Sequence, residues 1–209
     1  MKLNRIISYR RKYLDEYLDK YKHLFIGKRV LEVGAEPAKR RGSFRPPVDA
    51  GVWHTLNRSE SLGVDIVAEL PDLPVGDKEY DVVLCTEVLE YLDDPAAALN
   101  EMTRILKSDG TMIVTVPFIH PLHGDAEVDK LRFTFYFINQ IVDVKFKQCR
   151  VIPMGGLYAS VYDLIYIHYR KNITAWLALL PLALIVKFFD RSNIQNTTGF
   201  FIIANNPKN

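Results

Sequence analysis

Three short runs of β-branched and apolar residues constrain this chain more than any other feature. They are residues 29–34 (Arg-Val-Leu-Glu-Val-Gly), 80–85 (Tyr-Asp-Val-Val-Leu-Cys) and 111–116 (Thr-Met-Ile-Val-Thr-Val). Nearly continuous apolar runs of this length belong to strands buried on both faces, as in parallel sheets. Between the second and third lies a strong helix signal. Asp94 is the cap, Pro95 the first helical residue, and Ala98, Leu99, Met102, Ile105 and Leu106 share one face. Asp109-Gly110 reads as its end. Weaker strand signals fall at 52–56, 64–68, 146–152 and 199–204. Residues 2–24 place Ile6, Ile7, Tyr13, Leu14, Tyr17, Leu18 and Tyr21 at helical spacing. The pattern predicts an α/β fold built from βαβ units, with helices on both faces of a mostly parallel sheet. Ligands in such sheets bind beyond the carboxyl ends of the strands, so the loops after Val33, Leu56, Ala68, Cys85 and Val116 are expected to line one crevice.

The length, 209 residues, fits one domain over 1–209. Within it we read an N-terminal helix (1–24), a core (28–118), a segment beyond it (119–198) and a last strand (199–204). A formal charge of +2 argues against a general nucleic-acid partner. Two cysteines and no Cys/His spacing argue against a disulfide scaffold or a metal site, and fit a cytoplasmic setting. The start is basic but lacks the apolar stretch of a secretion signal. An apolar helix is expected over 173–189, shorter than a membrane span and interrupted by Pro181. Besides a true span, two readings of it stand. It is a buried helix, or it touches the inner membrane surface peripherally, flanked by Arg170, Lys171, Trp176 and Lys187. Neither a G-x-G-x-x-G fingerprint nor a Walker loop is present, which argues against nicotinamide or nucleotide phosphates as ligands. The oligomeric state is not legible.

Val30-Leu-Glu-Val-Gly34, residues 65–74, residues 80–91 with Leu89-Glu90-Tyr91, Asp94-Pro95 and residues 97–117 follow one another in an order and spacing that resembles the class I S-adenosylmethionine-dependent methyltransferases, most of all their type 11 branch. The resemblance implies a doubly wound, Rossmann-like sheet of about seven strands with an antiparallel last strand, and S-adenosylmethionine as cofactor. It places Glu32, Gly34 and the rim residue Glu36 at the methionine end, and Asn57 at the ribose. Glu69 and Leu70 fall at the adenine, and Glu87 and Val88 beside the methyl group. Glu36 and Ala38 stand where the family repeats glycine. That departure motivates an alternative, a binding or scaffold protein that kept the fold and lost the chemistry.

Residues 117–134 resemble a stretch of methyltransferases that accompany sugar and cell-surface glycan biosynthesis. The expected acceptor is thus a small molecule or glycan carrying a hydroxyl. A base that takes the hydroxyl proton suits an imidazole, which titrates near neutrality. His123 is the first candidate, with Asp125 to orient it. His120, Asp129 and Arg132 are candidate acceptor contacts, although Asp129 and Arg132, three apart, also suit a mutual pair. Lys39, Arg40, Arg41 and Arg45 form a basic cluster, read either as a solvated loop or as a landing patch for an anionic acceptor.

Overall fold

The computed structural model describes residues 8–40, 42–60, 63–122, 127–169 and 179–208. Seven strands form one sheet: β1 (Arg29–Val33), β2 (Val52–Asn57), β3 (Ile66–Val67), β4 (Tyr80–Thr86), β5 (Leu106–Pro117), β6 (Phe146–Pro153) and β7 (Gly199–Pro207). Their order is β3-β2-β1-β4-β5-β7-β6, and β7 alone runs antiparallel to its neighbours. The expected mostly parallel, Rossmann-like sheet with an antiparallel last strand is therefore present. Successive strands step outward from β1 to β3, then return to β4 beside β1. Strand order reverses between β1 and β4, which makes the gap between their following loops the natural ligand crevice.

Alternating residues of the strands face two cores. On one face Leu31, Val83, Val114 and Ile202 meet Ala98, Leu99, Met102 and Ile105 of α2 (Pro95–Ile105), and Ile138 and Val142 of α3 (Phe135–Asp143). On the other, Val30, Val82, Ile113 and Phe201 meet Leu14 and Leu18 of α1 (Tyr9–Lys20). Each fully buried Leu, Ile or Phe contributes roughly 1.5–3 kcal/mol. Two further helices, α4 (Leu157–Tyr169) and α5 (Leu180–Phe189), pack on each other, with Tyr9 and Tyr13 of α1 against them.

Element ends differ from expectation for identifiable reasons. The Asp94 side chain accepts the Ala97 N–H at 2.9 Å and starts α2 where the cap predicted. Asp109-Gly110 does not end that helix. The helix stops at Ile105, and Asp109-Gly110 lies inside β5, where the register with β4 shifts between Tyr80 and Val82. A Cβ at Gly110 would stand 2.8 Å from the Lys107 carbonyl, so the glycine serves a bulge. The first helix is shorter than 2–24. It runs Tyr9–Lys20, capped by Ser8, and is followed by a 3-10 turn over Lys22–Phe25. Residues 1–7 lie outside the described residues. So do residues 170–178, which include 173–178 of the expected apolar helix; its described helical part begins at Leu180 with Pro181 in its first turn. Among the described residues no helix is long and apolar enough to cross a membrane.

Candidate functional site

β1 ends on Glu32, Val33 and Gly34. Gly34 has a φ of 75°, in the left-handed region, and its N–H donates to the Leu56 carbonyl at 2.8 Å. A Cβ placed there would collide with Cγ2 of Val88, so the loops after β1 and β4 meet at this glycine. Glu32 is 6% exposed. The stretch where glycines were expected instead turns through a 3-10 segment, Pro37–Lys39, and returns Arg40 to Glu32. Arg40 Nη1 donates to Glu32 Oε1 at 2.7 Å and Nη2 donates to Oε2, while Trp53 Nε1 donates to Oε2 at 2.8 Å. A buried carboxylate thus already holds a cation beside a left-handed glycine at the switch point. The two Glu32 oxygens accept from a cation, and that acceptor chemistry would suit an ammonium such as the one on the methionine end of S-adenosylmethionine if Arg40 yielded. Arg40→Ala is expected to tighten S-adenosylhomocysteine binding roughly tenfold, since a charged hydrogen bond contributes ~1.5–3 kcal/mol to the competing state. Titration calorimetry reads this, and weaker binding would make Arg40 a cofactor contact instead.

The ribose candidate Asn57 is committed locally. Its Nδ2 donates to the Ala35 carbonyl at 2.9 Å and its Oδ1 accepts the Arg58 N–H at 2.7 Å. It therefore staples the loop after β1 to β2. At the adenine side Glu69 is exposed and Leu70 is buried in the core with Val33 and Leu56. Glu36 caps the Pro37–Lys39 turn without a side-chain bond to it.

β4 delivers Glu87, itself at a φ of 59°. Its Oε1 accepts from Thr115 Oγ1 at 2.8 Å and its Oε2 pairs with Arg10 of α1. Arg10 is 4% exposed and Glu90 is fully buried. Burial pushes the Arg10 guanidinium down to about 10, opposed by Glu90, so it stays cationic at neutral pH. Burial pushes the Glu90 carboxyl up to about 7, opposed first by Arg10. Burial also raises Asp163 of α4 to about 6, against the backbone N–H groups of Arg10 and Tyr9, which it accepts at 2.9 and 2.7 Å. The folded chain thus keeps protons on Glu90 and Asp163 that the unfolded chain releases near its ordinary carboxylate values. The associated stability is complete below about pH 4 and is lost as pH rises through about 6 to 7. Glu90→Gln is expected to flatten that fall and to be more stable than the parent by about 2 kcal/mol near pH 8. Urea midpoints across this range test it, and an unchanged slope would refute it. Sequence reasoning missed Arg10 and Asp163, and quoted Glu90 only inside a motif.

On the acceptor side, Arg132 commits every N–H donor to the chain. Nε donates to the His120 carbonyl, Nη1 to Asp129 and the Leu131 carbonyl, and Nη2 to Asp129 and the Pro121 carbonyl. The Asp129–Arg132 pair expected from spacing forms, and Arg132 braces the loop. His120 Nδ1 lies 2.9 Å from the Pro121 carbonyl. The Lys130 and Leu131 N–H groups bond the Glu90 carbonyl at 2.9 and 3.0 Å, which joins this segment to the loop after β4. His123 and Asp125 lie outside the described residues, as does Arg41. Of the basic cluster, the two described side chains turn onto the chain itself: Arg40 donates to Glu32, and Arg45 donates to the Gly42 and Phe44 carbonyls.

Residues 48–114 match the family model described as "Methyltransferase domain". The chain is 29% identical over 115 residues to the ubiquinone biosynthesis O-methyltransferase of Aeromonas salmonicida, covering 49% of this chain and 48% of that protein. It is 27% identical over 162 residues to the demethylmenaquinone methyltransferase of Renibacterium salmoninarum, covering 72% and 60%. It thus spans less than two thirds of either relative. A crystal structure of an S-adenosylmethionine-dependent methyltransferase from Thermotoga maritima superimposes with a TM-score of 0.59 at 18% identity, over 95% of this chain and 91% of that one, which is a likeness of fold. Over residues 48–114 the chain is thus similar to a methyltransferase domain, and over part of their lengths it is similar to two methyltransferases.

Proposed function

We propose that the chain transfers a methyl group from S-adenosylmethionine to a hydroxyl of a small-molecule or glycan acceptor in cell-surface polysaccharide biosynthesis. The observation that carries this reading is the buried Glu32 carboxylate, holding a cation beside Gly34 at the point where strand order reverses. Two curated relatives are methyltransferases by name, one an O-methyltransferase, which favours oxygen as the accepting atom. When bound, S-adenosylmethionine supplies an electrophilic methyl carbon on a sulfonium, open to in-line displacement. Glu32 would accept from the cofactor's ammonium in place of the Arg40 guanidinium, and the left-handed turn at Gly34 would let the cofactor approach the backbone. Glu87, fixed by Thr115 and Arg10, places a carboxylate at the end of β4, near the expected cationic centre. His123 takes the acceptor hydroxyl proton, and the loop braced by Arg132 holds the acceptor in line.

A second reading, a methyltransferase-fold protein without turnover, is favoured by one observation, the occupation of Glu32 by Arg40. Incubation with methyl-labelled S-adenosylmethionine and a panel of hydroxyl-bearing glycan precursors separates the two. Label transfer with formation of S-adenosylhomocysteine supports the enzyme. Absence of cofactor binding to both the parent and Arg40→Ala supports the scaffold.

A further inference from the structure

We propose that the outer face of α4 and α5 is a docking surface for an anionic lipid bilayer. α4 turns Ala159, Tyr162 and Asp163 inward, and α5 turns Val186 inward. Away from these inward residues, Leu164 and Ile165 of α4 and Leu184, Ile185, Phe188 and Phe189 of α5 stand at 37–69% exposure on two helices that pack on each other. Exposed apolar side chains grouped in this way mark an interaction site.

Charge selects the occupant. Among the described residues of these two helices the only carboxylate is Asp163, which is fully buried under the N-terminus of α1. The exposed titratable groups of the two helices are Tyr158, His168, Tyr169 and Lys187, and the Lys187 ammonium lies 5.4 Å from the centre of the Phe188 ring. Just beyond lie the exposed Arg191 and the half-buried Asp190, which accepts from the Tyr13 hydroxyl and the Gly156 and Ala159 N–H groups. An apolar face that carries Lys187 and Arg191 at one end, and whose two neighbouring carboxylates, Asp163 and Asp190, are turned onto backbone N–H and tyrosine donors, suits anionic headgroups, where each Lys or Arg contributes about 1 kcal/mol. A second copy of the chain fits less well, because a twofold contact would set the same cations against each other.

Position gives the surface a use. β6 runs in the same direction as β4 and β5, so α4 begins at the carboxyl end of the sheet, where Gly34 and Glu87 lie. Asp163 binds the Arg10 N–H, and the Arg10 side chain reaches Glu87. A bilayer on α4 and α5 is therefore two contacts from the crevice. This narrows the acceptor to a lipid-borne one. That last step rests on the proposed methyl transfer, while the docking itself does not.

The test is flotation of the full chain, without cofactor, with phosphatidylcholine vesicles that do or do not contain phosphatidylglycerol. The expected result is recovery with the anionic vesicles, weakened by salt and reduced roughly tenfold or more by Leu184→Glu with Phe188→Glu, two exposed sites whose change leaves thermal unfolding near that of the parent. No association with anionic vesicles overturns the proposal. So does association that the double variant leaves intact, or a dimer in solution that the double variant dissolves while vesicles recover nothing. Formation of S-adenosylhomocysteine with a detergent-dispersed, lipid-linked hydroxyl acceptor, assayed without vesicles, tests the methyltransferase reading separately from the docking.

Discussion

Gly34→Leu is expected to abolish S-adenosylhomocysteine binding, by 100-fold or more, in a chain that still folds. Two costs meet at this position. A side chain in the left-handed region carries roughly 1–2 kcal/mol of backbone strain, and at a φ of 75° Gly34 sits inside that region. Its Cβ would also collide with Val88, so the loop after β4 must retreat from the crevice that it borders. Gly27 separates these costs. Its φ is 66°, yet a Cβ there meets nothing within 4 Å. Gly27→Ala is therefore expected to lose stability through backbone strain alone and to leave calorimetric binding untouched. Gly34→Ala combined with Val88→Ala removes the collision and keeps the strain, so it should recover part of the affinity. Binding by Gly34→Leu at the parental strength would remove this glycine from the cofactor site.

What was legible in the sequence was local. Asp94, Pro95 and the apolar face of α2 sit within one stretch of chain, and a cap acts over three residues. β4 could be placed because both its faces are buried. The contacts that shape the crevice are not local. Arg10 and Asp163 are 153 positions apart, and nothing near either residue marks it as a partner of the other. The Arg40–Glu32 pair spans only eight residues, yet it depends on a 3-10 turn in a loop whose composition reads only as basic and glycine-poor. Asp109-Gly110 shows the reverse case. A strong local signal for a helix end was overruled by pairing of β5 with β4, since the same dipeptide also suits a bulge. Arg132 was legible as a partner of Asp129, because three-residue spacing is local, whereas its bonds to the His120 and Pro121 carbonyls were not.

His123→Ala is expected to lower turnover by roughly 100-fold while S-adenosylhomocysteine affinity stays within about twofold of the parent. The support is the fixed geometry on both sides of this residue. Before it, the Phe118 and Ile119 N–H groups bond the Thr198 and Thr197 carbonyls, and the His120 and Pro121 carbonyls accept from Arg132. After it, Asp129 pairs with Arg132, and the Lys130 and Leu131 N–H groups bond the Glu90 carbonyl in the loop after β4. The other candidate base is already bound close to its own backbone, since His120 Nδ1 lies 2.9 Å from the Pro121 carbonyl. Of the two imidazoles, His123 is thus the stronger choice for the proton of an acceptor hydroxyl. A base also predicts a pH signature that a structural role does not. The parental rate should fall on the acid side near the ordinary imidazole value, about 6.5, and His123→Ala should lose that limb. A variant that keeps both the rate and the acid limb would end the assignment, and a variant that loses affinity for S-adenosylhomocysteine along with turnover would place His123 in the cofactor crevice instead.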